Sequence, residues 1–303
     1  MIQVTNIEIW SLTLDYLDLL WEIGPVSSAG DANSHPIFDY DFYVLRSGDS
    51  PLGPYQEIGG PFRDQYVFRD TSVKLLHKWR QYYYKIKVVH RSSGEEKEFG
   101  PKGHKQPPPD LIAAEVIRLE DILFREFVGR RCWLLPIRTF GPYCSCFDLT
   151  LGRRTRSNHL PCFGTGFLGG FMSPVECFVQ IDPNTEHSQQ TSLQEKQPSD
   201  TTARMISFPP VKAKDIIVES ENRRWRVISS TPTQRLRSSL HFEIRLHEIP
   251  RGDVEYDIPI DVDLFSMSPS AERNFTLPTN PREDGEYSDI AAFFNYPPFG
   301  VPR

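Results

Sequence analysis

Residues 141–171 read GPYCSCFDLTLGRRTRSNHLPCFGTGFLGGF and hold three of the five cysteines of this 303-residue chain. Cys144 and Cys146 form one short pair, and His159 and Cys162 form a second pair after a polar turn. Thiolate sulfur and imidazole nitrogen suit Zn²⁺, and two short chelating pairs of this kind are typical of a zinc knuckle. The four side chains are therefore candidate ligands of a structural zinc, because a closed Cys3His set leaves no position for a reacting water.

The spacing of the first pair leaves an alternative open. C-x-C is shorter than the usual C-x2-4-C of a knuckle, so the loop could be a former metal site held by packing, with Tyr143 in the place of a lost cysteine. Cys132 and Cys177 lie on apolar stretches that predict strands before and after the loop, and each is either a buried free thiol or a replacement ligand. Under both hypotheses the loop is an ordered clip at the tip of a β-hairpin, and the glycines after Cys162 predict turns with positive φ.

The turn between the two chelating pairs, GRRTRS at 152–157, is basic. Arg153, Arg154 and Arg156 predict an exposed hairpin tip. This tip is either solvated or a contact for DNA or for an acidic neighbouring protein.

Residues 1–106 predict a β-sandwich, because short apolar runs are separated by turn signals at regular spacing. Seven strands are expected, at 2–9, 17–23, 42–45, 55–58, 66–68, 82–88 and 96–99.

The same residues resemble a fibronectin type III domain. Trp21 in LDLLWEI resembles the buried strand-B tryptophan of that family, and FYVLRSGD at 42–49 resembles its third strand. YYYKIKVVHRSSGEE at 82–96 resembles its sixth strand, with Tyr82 or Tyr84 as the corner tyrosine. The resemblance implies a spacer or an adhesive module without chemistry of its own.

The rest of the chain divides into four segments. After the proline-rich linker KGHKQPPP, residues 110–128 predict an amphipathic helix capped by Asp110, and the knuckle-bearing hairpin completes a segment 107–181. Residues 182–205 are polar and predict a mobile loop or arm, and residues 206–262 predict another β unit. Residues 263–303 predict an extended, proline-broken tail that docks on another surface, either of its own chain or of a neighbouring subunit, through four aromatic side chains, Phe293, Phe294, Tyr296 and Phe299.

Net charge, apolar stretches and cysteine count argue against several classes of protein. The formal net charge of −6 argues against a general nucleic-acid binder. No stretch approaches the length of an apolar membrane span, and residues 1–10 lack the features of a signal peptide, so we expect no membrane partner. An odd number of cysteines without framework spacing favours a reducing compartment.

Residues 131–262 resemble a family of tailed-bacteriophage virion proteins. Its members carry a pattern close to C-P-x-C-W-D, then G-R-R-T-R-S, then C-P-x-C-Y-G-T-G-F-x-G-G, and this chain has YCSCFD, GRRTRS and HLPCFGTGFLGG. Cys146 and Cys162 match directly; Tyr143 and His159 stand at the first and third cysteine positions, and Cys144 is shifted by one. DIIVES and RRWRV within 215–227 also resemble the β-barrel of phage head-completion and neck proteins. We therefore expect a mainly β chain whose C-terminal β unit is a small barrel followed by the extended tail.

The resemblance implies a structural subunit that assembles as a ring in the neck, collar or head-to-tail connector of a virion, built in the host cytoplasm. Its partners would be further copies of itself, other neck, portal or tail proteins, and packaged DNA. The alternative is a baseplate or tail-fibre-associated adhesion protein that uses the fibronectin-like domain. The chain has no G-x-S-x-G, P-loop, H-E-x-x-H or Rossmann fingerprint, so we expect no enzyme.

Overall fold

The computed structural model describes residues 2–12, 16–24, 39–48, 50–73, 81–104, 110–148, 150–181, 200–236 and 238–260. All of them lie in one compact unit, Met1–Phe265. The aromatic residues predicted to form a tail contact, Phe293, Phe294, Tyr296 and Phe299, lie outside the described residues, as do residues 182–199 of the predicted arm. The described part is mainly β, which confirms the predicted fold class.

The N-terminal module consists of two antiparallel sheets, and all seven predicted strands are present. The strands are β1 Val4–Trp10, β2 Leu17–Ile23, β3 Tyr40–Gly48, β4 Gln56–Phe62, β5 Val67–Asp70, β6 Tyr82–His90 and β7 Glu96–Gly103. One sheet has the order β1-β2-β5 and the other has the order β4-β3-β6-β7.

Alternating side chains from both sheets form the core of this sandwich. Alternate residues of β2, including Trp21, are buried, and so are Tyr84 and its alternate neighbours in β6. Trp21 is 1% exposed, and its ring lies 6.3 Å from that of Phe42 across the sandwich and 6.4 Å from that of Tyr66. The Tyr84 hydroxyl donates a hydrogen bond to Asp70 Oδ2 at 2.9 Å, which ties β6 to the end of β5.

The one α-helix among the described residues, α1, spans Leu111–Leu123. Asp110 caps it as predicted, because its side chain accepts a hydrogen bond from the Ile112 N–H at 3.0 Å. The helix continues as one π-helical turn, Phe124–Val128, which Gly129 ends by donating its N–H to Phe124 O at 2.9 Å. A Cβ at Gly129 would lie 2.4 Å from that carbonyl oxygen, so this close turn requires glycine.

A closed six-stranded barrel forms the second module, as the predicted fold class requires. Its strands are β8 Arg130–Leu135, β11 Val175–Ile181, β12 Asp200–Ile206, β13 Ile216–Glu219, β14 Arg224–Arg235 and β15 Ser238–Glu248, in the order β11-β12-β15-β14-β13-β8. Two strands come from the predicted segment 107–181 and the others follow residue 199. The boundary expected between the segments 107–181 and 206–262 therefore does not divide the structure.

Strand β12 also corrects the prediction that residues 200–205 belong to a mobile arm. Thr201, Ala203 and Met205 point into the barrel, while the residues between them are exposed. Small and polar side chains hide this alternation in the sequence. The strand pairs with β11 on one side and β15 on the other, so it closes a sheet that would otherwise have two open edges.

The loop between β8 and β11 packs against the sandwich at its base. Arg138 is 2% exposed and pairs with Asp64 of the sandwich, and Ser173 donates a hydrogen bond to the Asp64 carbonyl oxygen at 3.0 Å. The Phe140 ring meets that of Tyr66 edge-on at 5.3 Å. These contacts fix the base of the candidate metal loop.

Candidate metal centre

The first half of the loop is a small hairpin. Strand β9, Phe147–Asp148, pairs antiparallel with β10, Arg153–Arg154. The Asp148 carboxylate accepts hydrogen bonds from the N–H groups of Thr150 and Leu151 at 2.8 and 3.1 Å, and Gly152 takes a φ of +61° to reverse the chain. This turn lets the chain return from Cys146 toward His159.

A tight turn presents the second pair. His159 precedes a 3-10 turn, Leu160–Cys162, and Phe163 and Gly164 then take left-handed φ values of 45° and 71°. A Cβ on Gly164 would lie 2.4 Å from Ser157 O, so glycine is required for this close approach. The prediction that the glycine cluster adopts positive φ is confirmed, at Gly164, Gly166, Gly169 and Gly170.

The four predicted ligands come together. Their ligating atoms all lie within 4.8 Å of one another. Cys144 Sγ is 3.1 Å from His159 Nδ1, Cys146 Sγ is 3.4 Å from Cys162 Sγ, and Cys162 Sγ is 3.6 Å from His159 Nδ1. In a tetrahedral site with bonds of about 2.3 Å to sulfur and about 2.0–2.1 Å to nitrogen, ligand atoms lie about 3.5–3.8 Å apart. The cluster is therefore close enough to hold a metal ion.

The thiols of this cluster influence each other's protonation. Burial, together with the neighbouring thiols of Cys162 and Cys144, raises the pKa of Cys146 to about 12. Burial also acts to raise the pKa of Cys144, but hydrogen bonds from the backbone of Cys146 and from the neighbouring thiols outweigh it, so this pKa lies below its usual value. Metal binding to thiols releases protons, and affinity for the metal therefore falls in acid.

Tyr143 lies beside the cluster and is not one of its members. Its ring stacks between Phe147, with centroids 4.4 Å apart, and Phe167, with centroids 5.0 Å apart. The next residue, Cys144, turns its sulfur toward His159. The short C-x-C spacing therefore brings Cys144 into the cluster, and Tyr143 packs the strands around it.

The other two cysteines belong to the barrel. Cys132 and Cys177 lie opposite each other on β8 and β11, both fully buried in the barrel core. Burial raises the pKa of each thiol, and Cys177 Sγ donates to Cys132 O at 3.5 Å. Both are free thiols, and neither is in the cluster.

The basic tip carries three exposed arginines, Arg153, Arg154 and Arg156. None of the three forms an ion pair with another described residue. The hairpin holds the tip in place, because Thr155 donates both its N–H and its hydroxyl to Cys146 O at 2.8 Å.

No protein-family model, curated protein or solved structure matches this chain. Within the described ranges, the helical segments lack the length and apolar character that a bilayer crossing needs. The family resemblances therefore remain hypotheses.

Sequence patterns missed Arg138, which positions the loop. Its N–H donates to Gly170 O at 3.0 Å, and its side chain donates to Phe171 O at 3.3 Å as well as to Asp64. A single arginine at the end of an apolar run carries no local signal of burial, because its partners lie more than thirty residues away in the sequence.

Proposed function

We propose that this protein is a structural, non-catalytic subunit of a tailed-phage virion that assembles as a ring in the neck, collar or head-to-tail connector. The observation that carries the proposal is a Cys3His cluster beneath an arginine-rich hairpin tip, in a loop inserted between two barrel strands. GRRTRS and FGTGF, which carry the family resemblance, are the residues that form the tip and the turn beside the cluster.

We propose that the cluster holds Zn²⁺ through Cys144, Cys146, His159 and Cys162. Three thiol ligands and one imidazole favour Zn²⁺ over hard cations such as Mg²⁺ and Ca²⁺. All four tetrahedral positions would be filled by the protein, so the ion would fix the hairpin and activate no water. Both pairs lie on short turns with few apolar neighbours, where a metal adds stability that packing cannot supply.

A ring needs a surface that binds a neighbouring copy, and the outer face of α1 supports such a role. Phe127 is 74% exposed, Leu111 79% and Leu119 52%, and further apolar side chains of the helix are also exposed. Several exposed apolar side chains on one helix and on the π-helical turn that continues it are typical of an interaction site. We propose this face, together with the aromatic tail residues 293–299, as subunit contacts, with neck, portal or tail proteins as further partners in the virion.

The N-terminal module would serve as a rigid decoration. Two antiparallel sheets packed over a buried Trp21 support the proposed fibronectin type III-like character, since such modules share this sandwich architecture. The alternative role, adhesion at a baseplate or tail fibre, requires an exposed binding platform on this module. Among large apolar side chains of the described sandwich, only Leu52 is mostly exposed, which favours the ring.

The zinc proposal is tested by quantifying zinc on the peak of a size-exclusion column. We expect about one zinc per chain, as a closed four-ligand site requires, and its loss in Cys146→Ser. Cys177→Ser is the matched control, because it makes the same change at a cysteine outside the cluster. Tyr143→Phe should also retain zinc, because its ring packs and does not ligate. Wild-type protein without zinc, or zinc retained by Cys146→Ser, would refute the assignment.

The assembly proposal is tested by light scattering on the same column. We expect a multimer whose mass falls in a Leu119→Glu/Phe127→Glu variant and on removal of residues 263–303. Leu52→Glu is the control, since it replaces an exposed apolar side chain with a carboxylate on the sandwich, away from the proposed contacts. A monomer at every concentration, or a multimer insensitive to both changes, would contradict assembly through these contacts.

A further inference from the structure

A cleft of about 580 Å³ separates the hairpin tip from the barrel. The hairpin side contributes Arg153, Arg154, Ser157 and Asn158, and the barrel side contributes Lys214 and Arg226. Its volume lies in the range of sites for small molecules and for short segments of a chain.

Three of the four cationic residues that line the cleft have no carboxylate partner among the described residues. Most described arginines and lysines form ion pairs, and at this cleft Arg226 pairs with Glu255. Within the described part of the chain, Arg153, Arg154 and Lys214 form no ion pair, and Asp253 is the one unpaired carboxylate among the residues that line the cleft. The local charge is therefore positive although the chain is acidic, and charges more than about 8–10 Å away are largely screened at physiological ionic strength.

Local structure defines the backbone at Lys214 and the position of the Arg154 side chain. Lys214 keeps a left-handed φ of 76° while its N–H donates to Val227 O at 2.8 Å. The Arg154 guanidinium lies against Gly164, where Nη1 is 3.2 Å from the position a Cβ would take. Because Cys146 and His159 flank the tip, a metal in the cluster would stiffen this side of the cleft.

The remaining lining adds both hydrogen-bond donors and an apolar surface. The side chains of Ser157 and Asn158 are exposed donors, and the half-buried rings of Phe147 and Phe163 also line the cleft. Phosphate oxygens accept hydrogen bonds from arginine, serine and asparagine, and aromatic rings provide stacking surfaces for unpaired bases. An acidic peptide would use the cations but would have less use for the rings.

We propose that this cleft binds a single-stranded nucleic-acid segment, with phosphates on Arg153, Arg154 and Lys214 and a base or sugar against Phe163. A duplex keeps its bases stacked and could not offer one to the ring. The inference rests on the arginine-rich tip of the proposed virion subunit, for which the sequence predicts DNA as one possible contact, but it does not require ring assembly.

The test measures binding of a fluorescent thymidine oligonucleotide to the zinc-loaded full chain by anisotropy at several salt concentrations. Three phosphate contacts predict a slope of about −2 for log affinity against log salt, so a fourfold rise in salt weakens binding about 16-fold. Arg153→Gln/Arg154→Gln should reduce the slope to about −0.7, because one contact remains. Lys97→Gln/Lys102→Gln is the matched control, because it removes two cations of the sandwich that form no ion pair with another described residue.

Four further comparisons make the result decisive. Phe163→Leu should lower the affinity for the oligonucleotide and leave the salt slope unchanged. A duplex of the same length should bind more weakly than the single strand. Zinc content and mass, measured on each variant, separate loss of this site from loss of the clip or of the ring. Binding unaffected by the Arg153/Arg154 variant, or a polyglutamate peptide that binds more tightly than the oligonucleotide, would overturn the proposal.

Discussion

Asp64 and Arg138 join the sandwich to the base of the candidate metal loop, and the two side chains of this ion pair differ in exposure to solvent. The Arg138 side chain is 1% exposed and that of Asp64 is 22% exposed. We therefore expect Asp64→Asn to destabilise the protein more than Arg138→Met does. Asparagine is the appropriate probe because it preserves the shape of the side chain and tolerates the left-handed φ of 54° at this position.

The loss of stability in each variant depends on which charged partner of the pair remains. Asp64→Asn leaves the buried Arg138 guanidinium without a counter-charge. An uncompensated buried charge lowers the free energy of unfolding by about 3–5 kcal/mol. Arg138→Met leaves a carboxylate that water can solvate, while the methionine fills the space of the aliphatic stem, so we expect about 1–2 kcal/mol. A loss of about 3 kcal/mol lowers Tm by about 6–12 °C in a protein of roughly this size.

Thermal unfolding followed by tryptophan fluorescence measures the difference. The double variant should be close to Arg138→Met alone, because it contains no stranded charge, and this strong non-additivity is the signature of a coupled pair. If Arg138→Met were the more damaging change, or if the two effects simply added, burial of the guanidinium would not be the source of the cost.

Two further predictions concern backbone and pH. Gly164→Ala should lower Tm by several degrees more than Gly152→Ala and should reduce zinc content. Both glycines have positive φ, but only a Cβ at Gly164 would lie against a carbonyl oxygen, at 2.4 Å. Equal shifts of Tm in the two variants would contradict the close contact. Burial raises the pKa of Asp215 to about 6, despite hydrogen bonds from the N–H groups of Ile137 and Lys212. Since the folded pKa lies above the unfolded value of about 3.9, the stability contributed by this group is present below pH 4 and is lost as pH rises to about 6, on the order of 3 kcal/mol. The stability of wild type relative to Asp215→Asn should therefore fall across this window in urea unfolding, and parallel curves would refute the shift.

Sequence periodicity predicts the elements in which large apolar residues recur at the spacing of a strand or a helix. The seven strands of the sandwich and the burial of Trp21 follow from such runs, and the start of α1 follows from Asp110 placed before an amphipathic stretch. The clustering of the four candidate metal ligands could also be predicted, because chelation requires soft side chains at short spacing and few other patterns supply them.

Only the tertiary structure decided the features that depend on distant partners. Two of the three inward residues of β12, Thr201 and Ala203, are small, so pairing with β11 and β15 sets its place in the barrel more than its own hydrophobicity does. Arg138 is buried because Asp64 lies opposite it, and Lys214 lines the same cleft as Arg153 and Arg154 because the loop folds back over the barrel. A sequence carries local propensity and spacing, whereas burial of a charge and closure of a barrel are settled by contacts between segments that no local pattern relates.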